Sequence, residues 1–135
     1  MSLEALLQAM RVQDIDNNEV AVSLSLFFKG NTDLGSIGCN LGDDQPSIET
    51  FYRILREIKA RPNVVDVLVR VIGVDEGHWP YTDAVYILAS APHNEVSQWV
   101  APLLPSEVAE GWMYGRPPAV AEPQSPFTPY TVWWD

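Results

Sequence analysis

Basic residues, histidine and cysteine are all scarce in this chain, and each scarcity closes off a class of function. Cys39 is the only cysteine. It can form neither an internal disulfide nor a multi-cysteine metal site, and a reducing compartment suits it. The two histidines, His78 and His93, lack the HxH or HxxxH spacing that presents two imidazoles to one ion. Lys and Arg number eight against 18 Asp and Glu. Their only group is Arg53, Arg56, Lys59 and Arg61, on a stretch that reads as a helix, so the clustered cations that phosphate backbones require are missing. No apolar run reaches the ~18 residues that cross a bilayer. Met1-Ser2-Leu3-Glu4 lacks the basic start of a signal peptide. Nucleic-acid binding, membrane insertion and export are therefore not expected, and a cytoplasmic bacterial location is.

Catalytic and cofactor signatures are missing as well. There is no G-x-S-x-G elbow, and Gly35, Gly38 and Gly42 are not spaced as G-x-G-x-x-G. Asp43 and Asp44 follow Gly42 without the alternating oxygen ligands and closing Glu of a calcium loop. Cys39, in Ile37-Gly38-Cys39-Asn40, reads as a strand residue, buried and inert. The expectation is no metal, no cofactor and no catalytic residue.

What remains is an acidic chain of 135 residues with a net charge of −10 and a hydrophobic fraction of 47%. Near 150 residues a domain buries roughly 68–70% of the surface its unfolded chain exposes, enough for one core without staples. Residues 1–135 are therefore expected to form a single α+β domain. Its sheet should be mostly antiparallel, with two to three helices packed around it. Leu3, Leu6, Leu7 and Met10 fall at i, i+3, i+4, i+7, the stripe of an amphipathic helix, and residues 14–18 break it with turn-forming side chains. From Val20 the alternation Val20, Val22, Leu24, Leu26, Phe28 predicts a half-buried strand over 20–28. A short strand over Ser36–Leu41 would return from the turn at Gly30. Ser47 caps a helix whose stripe is Ile48, Phe51, Tyr52, Leu55 and Ile58, with basic residues at its C-terminal end and Pro62 beyond.

Val64–Val74 is the strongest predicted strand, with Val65, Val67, Val69 and Val71 on one face, and a further strand covers 83–90. Pro92 opens a helix in which Val96, Trp99 and Val100 share a face, and Ser106–Ala109 adds a turn. Five prolines between 117 and 129 hold the chain extended. It nevertheless ends Tyr130-Thr131-Val132-Trp133-Trp134, too aromatic for a free tail. Residues 112–135 thus read as a proline-rich strap ending in a strand docked at a sheet edge, on its own sheet or exchanged with a second copy in a homodimer.

The segment 73–83, Gly-Val-Asp-Glu-Gly-His-Trp-Pro-Tyr-Thr-Asp, is the richest in chemistry. Two carboxylates, Asp75 and Glu76, gather with an imidazole, an indole and a phenol between two strands, and Asp83 opens the second strand. Turn chemistry alone would collect Asp and Gly there, yet ordered loops also carry function. A protein-binding loop would use Asp75 and Glu76 as charge and Trp79 and Tyr81 as aromatic anchors, with Asp43 and Asp44 as supporting charge. The enzymatic alternative, a small hydrolase or ligand-binding enzyme, would use Asp75, Glu76 and His78.

The segment Trp79-Pro80-Tyr81-Thr82-Asp83-Ala84-Val85-Tyr86, with Ser97-Gln98-Trp99-Val100 and Leu104-Pro105-Ser106-Glu107-Val108, resembles a group of small uncharacterised bacterial proteins, over roughly the C-terminal half. In size, acidity and α+β pattern the chain more loosely resembles the SUKH superfamily, which includes immunity proteins against polymorphic toxins. That resemblance transfers no functional residue, because the Leu104-Pro105 pair lies in the other half of the chain from the family's Leu-Pro. It implies a non-enzymatic protein that neutralises a basic toxin through its acidic face. A structural subunit associating through the C-terminal strand is the third reading.

Overall fold

A computed structural model describes residues 2–13 and 19–135. The expected break at 14–18 lies outside the described residues. The element order is α1 (Ser2–Gln13), β1 (Val20–Ser23), α2 (Leu24–Phe28), α3 (Ile48–Lys59), β2 (Val64–Val71), β3 (Ala84–Ala89), α4 (His93–Val100), β4 (Glu107–Glu110) and β5 (Thr128–Trp133). The strands form one antiparallel sheet in the order β1-β2-β3-β5-β4. The architecture is α+β.

Alternation along each strand gives the sheet two different faces. One carries Val20, Val22, Val67, Val69, Val71, Val85, Ile87, Tyr130 and Val132 against Leu6 of α1, Phe27 and Phe28 of α2, Phe51 and Leu55 of α3, and Val96 and Val100 of α4. Phe51 meets the Trp134 ring edge-on, with centroids 5.6 Å apart. The other face presents Arg70 opposite Ala84 and Ala21, then Tyr86 between Leu68 and Thr131. Residues 111–127, which carry no helix or strand, lie against it through Trp112 and Tyr114.

Helix α3 forms as its sequence dictates. Ser47 Oγ accepts from the Thr50 N–H at 3.0 Å, and Ile48, Phe51, Ile54, Leu55 and Ile58 are buried. Its basic face is locally satisfied, with Arg56 4.5 Å from the Tyr52 ring, Arg61 4.5 Å from Trp99, and Lys59 3.6 Å from Asp66.

Six expectations are corrected. The strand from Val20 ends at Ser23, whose Oγ accepts from Leu26 N–H at 3.2 Å and caps α2. Leu24, Phe27 and Phe28 then reach the core by helical rather than strand spacing. The segment 36–41 is not a strand. It holds 3-10 turns at Leu34–Ser36 and Cys39–Asp44, the second kinked at Gly42, with only Ile37 bridging to Thr82. Cys39 is consequently exposed. In β2 an irregularity in register between Val64 and Asp66 turns Val65 outward, 54% exposed, while Val64 takes the core position. Residues 107–110 form strand β4 where a turn was expected, and β5 lies inside the sheet, hydrogen-bonded to β3 and β4, rather than at its edge.

Candidate functional site

The loop joining β2 to β3 is pinched at its base. Ile72 N–H donates to Tyr81 O and Tyr81 N–H to Gly73 O, both at 2.9 Å. A Cβ on Gly73 would come within 3.1 Å of the Tyr81 hydroxyl, so glycine lets the phenol lie across the chain. At the tip His78 N–H donates to Asp75 O at 3.0 Å, and Gly77 adopts φ +81°, a conformation costly for other residues.

Asp33 stitches this loop to the segment after α2. Its Oδ1 accepts from Gly35 N–H at 2.8 Å, and its Oδ2 accepts from Trp79 N–H at 3.1 Å and lies 3.4 Å from His78 Nδ1. The two backbone donors, Trp79 first and Gly35 second, hold its carboxyl below the usual carboxylate range against a smaller effect of burial, with His78 adding to the lowering. The Trp79 indole N–H donates to Phe27 O at 2.8 Å. Trp79 is thus half-buried and tied at both nitrogens, a fixed wall rather than a free anchor.

Between this loop and α1 lies a cleft of about 680 Å³, lined by Leu3 and Leu7 on one side and Asp33, Val74, Asp75, Glu76, His78 and Trp79 among those on the other. It brings three of the expected binding residues together: Asp75, Glu76 and Trp79. Tyr81 lines a smaller pocket of about 210 Å³ shared with Asp33, Asp75, His78 and Trp79. Asp43 and Asp44, in the kinked 3-10 segment, line neither. His78 is oriented by Asp33 instead of Asp75 or Glu76, and its side chain is 66% exposed. Leu3 and Leu7 were legible only as part of the first helix's apolar stripe, and Asp33 was not expected at the site. The signal for Asp33 was its place two residues before Gly35, an Asx-turn arrangement.

The opposite face of the sheet carries a second polar cluster. Arg70 donates from Nε to Glu19 at 2.9 Å and from NH1 to Asp83 at 2.9 Å, beneath the Tyr114 ring with its centroid 3.7 Å away. Asp83 Oδ2 accepts from Tyr114 OH at 3.1 Å and from the Trp133 indole at 3.3 Å. Ala21 and Ala84 flank Arg70 across the strands and leave room for its guanidinium. These contacts fasten residues 112–114 to the sheet. Among the described residues no three His, Cys, Asp or Glu side chains converge into a metal-ligand set. No described helix is long and apolar enough to cross a membrane.

No solved structure matches this chain. A protein of Escherichia coli (strain K12), described as "Uncharacterized protein YfbO", is 33% identical over 138 residues, with 98% of each chain covered. The family model described as "Uncharacterized protein YfbO family" matches residues 1–132. The chain therefore belongs to the YfbO family.

Proposed function

We propose that this chain is a non-enzymatic protein-binding domain, and that its concrete form is immunity: neutralising a basic bacterial toxin by covering a cationic surface. The observation that carries the reading is the cleft beside α1, where Asp75 and Glu76 are exposed next to an apolar wall and a fixed indole. Charged and apolar surface side by side is what interfaces with cationic partners use. The net charge of −10 would steer such a partner from a distance. The looser resemblance to the SUKH superfamily points the same way. Asp43 and Asp44 add charge to the field outside the cleft, and Tyr81 supports the base of the loop. The test is co-expression with a cationic toxin encoded beside this gene. The chain should restore growth and co-elute with the toxin as a complex whose association slows with salt. Unrelieved growth arrest, with no complex on sizing, would sink the proposal.

A further inference from the structure

Resting on that reading of the chain as a protein-binding domain, we infer that the cleft between α1 and the 73–82 loop seats one lysine or arginine side chain of the partner polypeptide, with an apolar neighbour of that residue lying on α1. The lining is divided in a way that matches such a pair. Leu3 and Leu7, one helical turn apart, form an apolar strip on one side, and Val74, 46% exposed, continues it across the mouth. Asp75 and Glu76 stand beside that strip, and Asp33 lies further in with its side chain 26% exposed. A lysine or arginine has the same division along its length, an apolar stem and a charged head that stays near water.

Asp33 has His78 beside it, but the charges of Asp75 and Glu76 have no counterpart among the described residues. Seven of the chain's eight cations are engaged elsewhere: Arg53, Lys59, Arg70 and Arg116 hold carboxylates, Arg56 and Arg61 lie over aromatic rings, and Arg11 donates to Gln8. The wall is also set before any partner arrives. Trp79 is held by Asp33 and Phe27, and Gly77 and the His78 N–H fix the tip. A preformed wall spares the ordering cost that a loose loop would add to binding. At about 680 Å³ the cleft has room for the charged side chain together with an apolar neighbour.

The probe is the peptide acetyl-Leu-Ala-Ala-Lys-amide, titrated into the labelled full chain and followed by backbone amide shifts. Shifts should be confined to α1 near Leu3 and Leu7 and to Val74–Trp79. Replacing the lysine by norleucine, or using the D75N/E76Q protein, should each weaken binding by about tenfold. Both acids are exposed, so the variant should melt as the parent does. Equal binding of the norleucine peptide, or shifts centred on α3 or the 119–123 segment, would overturn the assignment. So would n-hexylamine binding as tightly as the peptide, which would mark a site for small amines. The toxin complex separates the two readings. If it forms but is indifferent to D75N/E76Q, the immunity reading stands and this seat falls. If the peptide binds as described and no toxin complex forms, the failure belongs to the immunity reading.

Discussion

Tyr86 carries the one buried side-chain polar atom among the described residues that has no hydrogen-bond partner. It sits on the face covered by Trp112, whose ring meets it edge-on at 5.0 Å. Burial, partly opposed by Arg70, raises the phenol from its ordinary value to about 12. The folded state thus holds the Tyr86 proton more tightly than the unfolded chain, where a phenol titrates near 10. Its contribution to stability is full below about pH 10 and is lost as the pH rises through about 12. Tyr86→Phe should leave stability at neutral pH unchanged or raise it by about 1 kcal/mol, since it removes an unsatisfied group. It should also flatten the alkaline fall, and denaturant melts across that range measure both effects. A large loss at neutral pH would mean that the hydroxyl has a polar partner. Asp33 has the opposite sign. Its lowered carboxyl contributes above the ordinary carboxylate range and loses that contribution as pH falls through its folded-state value. Asp33→Ala removes a cap and the tie to Trp79, and should cost about 1–3 kcal/mol and blunt the acid limb of the stability profile.

At the scale of elements, both open edges of the sheet are stopped by side chains. The Gln13 amide takes both backbone groups of Ala21 in β1, donating to its carbonyl at 2.8 Å and accepting from its N–H at 3.0 Å. At the other edge His93 Nε2 donates to the Val108 carbonyl of β4. Unpaired edges invite another chain to add a strand. The double variant Gln13→Ala/His93→Ala should therefore self-associate at concentrations where the parent elutes as one species, and sizing at several loadings tests this. The elements legible in the sequence were those whose period ran uninterrupted. The stripe of α3, the valines of β2 and the apolar run of β3 each had one reading. Residues 20–28 read as one strand, yet only Val20 and Val22 keep that alternation, and Leu24, Phe27 and Phe28 reach the core at helical spacing. Ser23 was the boundary, visible only when read as a cap. The irregularity at Val65 and the kink at Gly42 follow from pairing and backbone conformation that no periodicity encodes. In the cleft, Asp75, Glu76 and Trp79 were legible as one contiguous segment. Asp33 and the leucines of α1 come from distant parts of the chain, and only the fold brings them there.

For the molecule as a whole, an excess of ten negative charges acts in two opposed ways. Self-repulsion in the folded state is relieved by salt, whereas attraction of a cationic partner is weakened by it. Raising the ionic strength to about 0.5 M should therefore raise the melting temperature of the free protein while slowing its association with any basic partner. Thermal melts and stopped-flow binding over one salt series would show the opposed slopes, and parallel slopes would refute the account. The C-terminal strand has a comparable reach. Removing Tyr130–Asp135 takes Tyr130, Val132 and Trp134 from the core, at roughly 1.5–3 kcal/mol for each side chain, and leaves β3 and β4 without their shared neighbour. The truncated chain should lose about 5 kcal/mol or more, a large part of a typical domain's stability, and fail to give a cooperative melt. The same strand order has a consequence for synthesis. Chains emerge from the ribosome N-terminus first, at about 5–20 residues per second. The strand that joins β3 to β4 is the last of the five to emerge. A nascent chain that has released β4 but not yet β5 would display two unpaired strand flanks, one on β3 and one on β4, where β5 belongs.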